Sequence, residues 1–447
     1  MTGYERMFRG KKITVLGLGL LGRGVGDVEF LAKCGAEVVV TDQKSEKELA
    51  ESVAQLSHFK NITFHLGGHA REDFEHCDTV LKAAGVRLDS PEVAAARAAH
   101  IPVVMSTALF AKHAMEAGAK IIGVTGTRGK STIAHLIFHV LQKSAPRQSS
   151  GRERQVFLGG NIRGISTLAM LPDIQKDDIV VLELDSWQLQ GFGELQISPR
   201  IAIMTNLMQD HQNYYPDMET YFADKANIFR YHHQGDTLIC GPGVAQRVSD
   251  AKPLAAPMTP VALPDDWRLK IIGQHNRDNA ALAAAALTAA GLSASEVRDG
   301  MESFEGVEGR LQFVREVRGV KIYNDNNATT PEATVAALRA LNVGLTKSHI
   351  VLITGGSDKG LDTSELVHAI RAYAKKVVFL GGTGTDTIKN NFPDAPIVDS
   401  LAKALEAAMA ISSPGDTILF SPAFASFGMF KNEYDRNDQF ITLVTSL

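Results

Sequence analysis

The sequence is poor in cysteine and tryptophan, has no surplus of either charge, and contains no long apolar run. Its 447 residues include three cysteines and two tryptophans, and aromatic residues make up 7%. Cys34, Cys77 and Cys240 lie far apart, include no Cys-x-x-Cys pair and cannot all be matched within one chain. A disulfide scaffold is therefore excluded, and a reducing, cytoplasmic setting is expected. Lys plus Arg number 46 against 50 Asp plus Glu, a formal net charge of −4. So balanced a surface has no general attraction for nucleic acid. The stretch from Met1 to Lys12 is polar and runs into one short apolar strand, so neither an export signal nor stable membrane insertion is expected.

What is present suits a folded protein of several domains. Hydrophobic residues make up 45% and charged residues 21%, which removes the compositional basis for disorder. At roughly 100–200 residues per domain, the length suggests two to four domains, with three in the middle. Short apolar runs alternate with Ala/Leu-rich helical stretches throughout, the pattern of parallel α/β units. KKITVLGLG, EVVVTD, NITFHLGG, DTVLKAAG and IPVVMST form a first series. A second starts at AKIIGVTG and continues through DIVVLEL and RIAIMTN; its helix at Ser131–Lys143 carries Ile133, Leu136, Ile137, Val140 and Leu141 at helical spacing. The third contains KIYNDN, HIVLITGG, KVVFLGG and DTILFSPA and ends in a polar C-terminal tail. The expected fold is α/β with three domains, 1–117, 118–305 and 306–447. Ser144–Gln155, rich in Ser and Arg, reads as an exposed loop of the middle domain.

Two glycine clusters carry chemistry. Gly17-Leu18-Gly19-Leu20-Leu21-Gly22 follows a strand and opens a helix, and Asp42 ends the next strand. Glycine lets the main chain approach phosphate, the helix start offers free N–H groups, and an acid after the second strand can accept ribose hydroxyls. The pattern fits NAD or a nucleotide diphosphate equally, and a ligand-free tight turn is the bland alternative. The second cluster, Thr125-Gly126-Thr127-Arg128-Gly129-Lys130-Ser131-Thr132, also lies between a strand and a helix. Its spacing departs from the strict Gly-x4-Gly-Lys pattern, yet Gly-Lys-Ser-Thr at a helix start is suited to ATP. Backbone amides and Lys130 would hold phosphates, and the hydroxyl of Ser131 or Thr132 would ligate Mg²⁺. A metal-holding acid is needed at a neighbouring strand end. Glu183 fills that place, with Asp185 as runner-up or as a cap of the next turn.

TGTRGKST, LELDSWQL, NLMQDHQNYYP, YFADKANIF, GQHNRDNAALAAAAL, NDNNATT, GGSDKGLD and SPAFASFGMFKN occur in the order expected of the Mur ligase family. The chain resembles that family over essentially its whole length. The resemblance implies an N-terminal Rossmann-like domain for a UDP substrate, a central P-loop-type ATPase domain, and a C-terminal Rossmann-like domain for adenine and the amino acid. It implies an ATP-dependent ligase of peptidoglycan-precursor synthesis, with UDP-N-acetylmuramoyl-L-alanine and D-glutamate as substrates; a monomer is expected. By motif, Gly126, Thr127, Gly129, Lys130, Ser131, Thr132, Asn276, Asn279, Arg310 and Asp325 would meet ATP. Leu20, Leu21, Asp42 and Asn161 would meet the UDP substrate. Ser131, Glu183, His211 and Lys225, the last as a carbamate, would hold two Mg²⁺ ions. Lys130, Glu183, His211, Lys225 and Arg310 are the implied catalytic set.

A pocket for glutamate needs cations and hydroxyl or amide donors, and Thr329, Lys359 and Ser426 match the family positions, with Lys431 weaker. Two residues depart from the pattern: Asn327 stands where a lysine is usual, and Glu433 where an aromatic residue is frequent. L-glutamate or another amino acid therefore stays open as the co-substrate. A nicotinamide oxidoreductase would leave the second glycine cluster, Glu183 and His211 unexplained. Folylpolyglutamate synthase chemistry fits the N-terminal domain poorly, and a catalytically silent relative would have no use for Lys130, Glu183, His211 and Lys225 together.

Overall fold

The computed structural model describes residues 3–20, 22–144, 153–210, 214–343 and 348–447. Most of the Ser144–Gln155 segment expected as a loop lies outside them. The chain is α/β and is built on three sheets that are almost entirely parallel. Among the described residues, no helix is long and apolar enough to cross a membrane.

The first sheet contains β1 (Lys12–Leu16), β2 (Glu37–Asp42), β3 (Ile62–Leu66), β4 (Thr79–Lys82) and β5 (Val103–Val104), in the order β3-β2-β1-β4-β5. All its pairings are parallel. The near-continuous burial of β1, β2 and β4 explains their unbroken apolar runs, because helices cover both faces of such a sheet. The strand order reverses about β1, which opens a crevice at the carboxyl ends of β1 and β4. The second sheet contains β6 (Lys120–Thr125), β7 (Val156–Gly160), β8 (Ile179–Glu183), β9 (Ile201–Met204), β10 (Thr237–Cys240) and β11 (Pro257–Met258). Its order, β11-β10-β9-β6-β8-β7, places β6 between β8 and β9. The helix after β6 spans Lys130–Lys143, and all five of its expected core residues are buried.

These two sheets lie in one compact unit, residues 1–261 with 282–297. One hydrophobic cluster joins them, from Ile13 and Val40 to Val180, Phe192 and Phe229. The second unit, residues 262–281 with 298–447, holds the third sheet. It contains β12 (Gln312–Val317), β13 (Val320–Asn324), β14 (Ile350–Gly355), β15 (Ala374–Leu380), β16 (Ile397–Val398) and β17 (Thr417–Phe420), in the order β12-β13-β17-β14-β15-β16. Only β12 and β13 run antiparallel. Ile350 and Leu352 face one cluster and Val351 and Ile353 the other, the period-2 alternation of a sheet covered on both sides.

The expected polar tail is instead the helix Glu433–Thr445. Asn432 caps it by accepting from the Tyr434 and Asp435 N–H groups, and Phe440 and Val444, one turn apart, are buried against the sheet. With partly buried Leu443 and buried Arg436 they dock a helix whose remaining residues are mostly polar, so average polarity was a poor guide.

Phe192, on the helix Ser186–Glu194, is fully buried. Phe192→Ala is expected to cost the first unit about 3–5 kcal/mol. Chemical denaturation followed by Trp187 fluorescence, with Trp267 replaced by Phe, measures it.

Candidate functional site

Main-chain geometry dictates the loop after β6. Gly126 has φ +136°, and a Cβ there would lie 1.9 Å from Thr205 Oγ1, so only glycine passes. The loop is sewn to the segment after β9. Thr127 N–H donates to Asn206 O (3.1 Å), Arg128 N–H to Asn206 Oδ1 (2.9 Å), and Met208 N–H to Thr127 Oγ1 (2.9 Å). Gly129, in the left-handed region at φ +87°, then starts the helix Lys130–Lys143 without a side-chain cap. Ser131 and Thr132 occupy its first turn. This sets a helix N-terminus without a side-chain cap above a glycine loop, an arrangement suited to anions.

Two ammonium groups converge on one oxygen of this loop. Lys130 Nζ donates to Gly126 O and Thr127 O, both at 3.1 Å. Lys225 Nζ, from the helix Met218–Arg230, donates to the same Gly126 O at 3.0 Å and to Thr125 Oγ1 at 3.4 Å. Lys225 is 1% exposed, and Tyr221 places its ring 4.7 Å from Nζ. Burial, followed by repulsion from Lys130, holds the Lys225 ammonium well below the usual lysine range, with Asp185, Asp210 and Asp224 opposing. Burial also pushes the Tyr221 hydroxyl up to about 12.

Glu183 ends β8 directly beside Val124 in the β6–β8 ladder, so its buried carboxylate stands at the start of the loop. Asp185 caps the helix Ser186–Glu194: it accepts from Gln188 N–H at 2.7 Å, and Gln188 Oε1 accepts from Asp185 N–H at 3.2 Å. That is the capping role weighed against metal binding. His211 and Leu21 lie outside the described residues. The described ones contain no cluster of three or more His, Cys, Asp or Glu side chains arranged for a metal.

The first glycine cluster borders a cavity of about 230 Å³ at the crevice of the first sheet. Gly17, Gly19 and Leu20 form one wall, and residues 82–85, Thr107, Ser166 and Gln188 contribute others. Leu20 is 54% exposed. Asn161 accepts from Arg23 Nη1 at 3.0 Å, and its N–H donates to Glu183 O at 2.7 Å, linking this region to the second sheet. Asp42 is used differently from expectation. Its buried carboxylate accepts from the Leu18, Gly19 and Lys44 N–H groups, so in this structure it shapes the glycine loop. Asp27 is a residue that pattern reading missed. It accepts from Ser166 Oγ at 2.6 Å, and burial pushes its carboxyl up to about 6. The only signal was an acid inside the apolar repeat VGDVEF.

In the second unit, the loops after β13, β17 and β14 share one sheet edge because those strands are neighbours. Lys359 Nζ donates to Thr329 Oγ1 at 3.1 Å, which brings two expected residues together. Ser426 is buried on the third loop. Asn327, in place of a lysine, donates to Glu308 O, and its N–H donates to Gly309 O. Glu433 offers its carbonyl to Asn326 Nδ2. Arg436, absent from the sequence expectations, is fully buried and donates to Asn326 Oδ1 (2.8 Å), Asn326 O (2.9 Å) and Phe424 O (3.4 Å). Burial pulls it down to about 10. Asn276 and Asn279 share a hydrogen bond at the start of the helix Gln274–Ala289. Asp325 is buried and accepts from Ser421 Oγ and from Leu311 N–H, next to exposed Arg310. Leu311 has φ +47°, a conformation that bond helps hold.

Comparison with known proteins gives family matches along the chain. Residues 11–105 match the Mur ligase MurD-like N-terminal domain, 124–245 the Mur ligase middle domain, and 309–424 the Mur ligase glutamate ligase domain. A UDP-N-acetylmuramoylalanine–D-glutamate ligase of Roseiflexus sp. is 34% identical, covering 98% of this chain and 99% of that protein. The same-named ligase of Borreliella afzelii is 35% identical, with 97% of each covered. In fold, the chain is similar to the UDP-N-acetylmuramate-alanine ligase of Thermotoga maritima, with a TM-score of 0.61 at 20% identity over 98% of this chain and 99% of that one.

Burial raises the Asp325 carboxyl from 3.8 to about 7. Between those values the folded chain keeps a proton that the unfolded chain has lost, so this residue makes the second unit less stable as pH rises from about 4 to 7. Asp325→Asn is expected to flatten that slope in denaturation series read by Trp267 with Trp187 replaced by Phe.

Proposed function

The chain belongs to the Mur ligase family of ATP- and Mg²⁺-dependent amide ligases, and we propose that it adds D-glutamate to UDP-N-acetylmuramoyl-L-alanine in peptidoglycan-precursor synthesis. The observation that carries the reading is the convergence of Lys130 and Lys225 on the Gly126 carbonyl, beside Glu183 and an uncapped helix start. Lys130 on a glycine loop at a helix start fits a substrate with several phosphates, and buried Lys225 beside Glu183 fits the metal side of such a site. The proposed division of labour gives the UDP substrate to 1–117, ATP to 118–305, and adenine and the amino acid to 306–447, in a cytoplasmic monomer.

In the proposed reaction, the acceptor's alanyl carboxylate attacks the γ-phosphorus of ATP and ADP leaves. The amine of glutamate then attacks the acyl phosphate carbon, and phosphate departs as the amide forms. Lys130 exchanges its loop carbonyls for phosphate oxygens and offsets charge as the phosphoryl group transfers. Gly126, Thr127, Gly129, Ser131 and Thr132 supply backbone and hydroxyl groups around the phosphates. Arg310 adds a cation, and Asn276, Asn279 and Asp325 serve the adenosine. Ser131, Glu183, His211 and carbamylated Lys225 would hold two Mg²⁺ ions, which neutralise phosphate charge when bound. The site's donors suit this group: Glu183 offers buried carboxylate oxygens, and the lowered pKa of Lys225 favours release of the proton that its amine must lose to add CO₂. Leu20, Leu21, Asp42 and Asn161 belong to the acceptor's side, and Thr329, Lys359 and Ser426 to that of glutamate.

A phosphate-release assay with UDP-N-acetylmuramoyl-L-alanine and each of D-Glu, L-Glu, D-Asp and D-Lys tests the substrate assignment. Turnover with D-Glu is expected, and turnover with L-Glu alone would overturn it. Lys130→Ala is expected to lower kcat by about a hundred-fold or more. With ¹³C-labelled bicarbonate, the wild-type protein should give a carbamate carbonyl resonance that Lys225→Arg lacks; its absence from the wild type would exclude the modification.

A further inference from the structure

The cavity at the first sheet holds a charged group that the reaction above leaves unused. Lys82 ends β4 and pairs with Leu16, so it stands one residue before the first glycine loop. It lines the cavity, yet it is 2% exposed. Its Nζ donates to Ala83 O (3.1 Å), Ala84 O (3.3 Å) and Val86 O (2.5 Å), which uses every proton of an ammonium. All three acceptors are neutral, and no carboxylate pairs with it among the described residues. Asp185, Glu194 and Asp224 act on it only through space, and Arg97 opposes them. Burial pulls it down to about 8, so it is still mostly a cation at pH 7.

A buried charge without an ionic partner is costly, and an apolar residue would complete β4 more cheaply. The turn that Lys82 holds gives a reason for it. The Ala83 N–H donates to Leu16 O and the Val86 N–H to Ala83 O, but among the described residues no acceptor takes the Ala84 or Gly85 N–H. Ala83, Ala84 and Gly85 line the same cavity as Gly17 and Gly19. Ala83 also packs on Gly17, where an added Cβ would lie 3.0 Å from the Ala83 methyl. One turn thus has its carbonyls drawn onto a cation and two amides unclaimed, against the glycine loop.

We propose that Lys82 is a positioning residue for the diphosphate of the acceptor: it clamps the 83–86 turn through three carbonyls and adds a buried positive charge to the wall of the cavity. The proposal rests on the uridine-diphosphate acceptor argued above. It predicts that the ammonium matters for the phosphates and not for the nucleoside, a distinction that a purely structural lysine would not make.

Isothermal titration of UDP, uridine and ADP into the wild type, Lys82→Met and Lys82→Arg tests it. Lys82→Met is expected to weaken UDP by about ten-fold or more, while uridine and ADP change by no more than about two-fold. In turnover, the KM for the UDP-linked acceptor should rise and that for ATP should not. Lys82→Arg keeps the charge and is expected to recover most of the UDP affinity. Equal loss of UDP and uridine, or no loss of UDP, would overturn the proposal. If Lys82→Met fails to bind ADP because it does not fold, Lys82→Arg decides: loss of uridine as large as loss of UDP then sinks it. A wild-type protein that binds neither UDP nor uridine would sink the acceptor reading, and this proposal with it.

Discussion

Two ammonium groups share one carbonyl oxygen, that of Gly126, and much of the first unit is arranged to make this possible. A main chain carrying any Cβ could not pass Thr205 here, so the loop exists only because glycine stands at 126. β6 lies between β8 and β9, which puts Glu183 on one side of the loop and the Thr205–Met208 segment on the other. The helix Met218–Arg230 brings Lys225 beneath it, where burial and Lys130 weaken its hold on a proton. Two like charges this close are tolerated because backbone dipoles accept from both.

Charge is handled locally throughout the chain. The 46 Lys and Arg are nearly balanced by 50 Asp and Glu, so the net charge of −4 gives no hint of the individual cations placed after strand ends. Lys82 sits at the carboxyl end of β4, Lys130 follows β6, and Lys359 follows β14, each beside a tight turn or glycine-rich loop. The second unit adds the reverse case, a buried acid. Asp325 accepts from Leu311 N–H and Ser421 Oγ and so holds the turn that carries Arg310. Arg436 meets only neutral acceptors around Asn326 and fastens the C-terminal helix to the loop that carries Thr329. Through Asn326, Asn327 and Glu433, the two departures from the family pattern become part of this polar scaffold.

The α/β alternation, the places of most strands and the second glycine cluster were legible because they depend on local pattern. Apolar runs ending in glycine can be read one segment at a time, and the core face of the helix Lys130–Lys143 followed from spacing alone. The short strands β11 and β16 carry too few residues for a pattern, whereas the equally short β5 was read from IPVVMST. The antiparallel β12 is half exposed, so it lacks the continuous apolar run of its parallel neighbours. The C-terminal helix was obscured because its apolar seam is short: Phe440 and Val444 are buried and Leu443 is partly buried against the same cluster.

The sequence by itself determined the class of fold and the order of the three sheets along the chain. Those follow from residue type and near-neighbour spacing. Only the tertiary structure decided which polar groups are spent and which are left over. Asp42 is occupied by three backbone N–H groups and Asp185 by a helix start, whereas Lys225 is buried beside another cation and Lys82 clamps a turn. The partners lie from 1 residue away, for Lys82 and Ala83, to 100, for Lys225 and Thr125, and which of them a side chain meets depends on the folded path of the main chain and on exclusion of water.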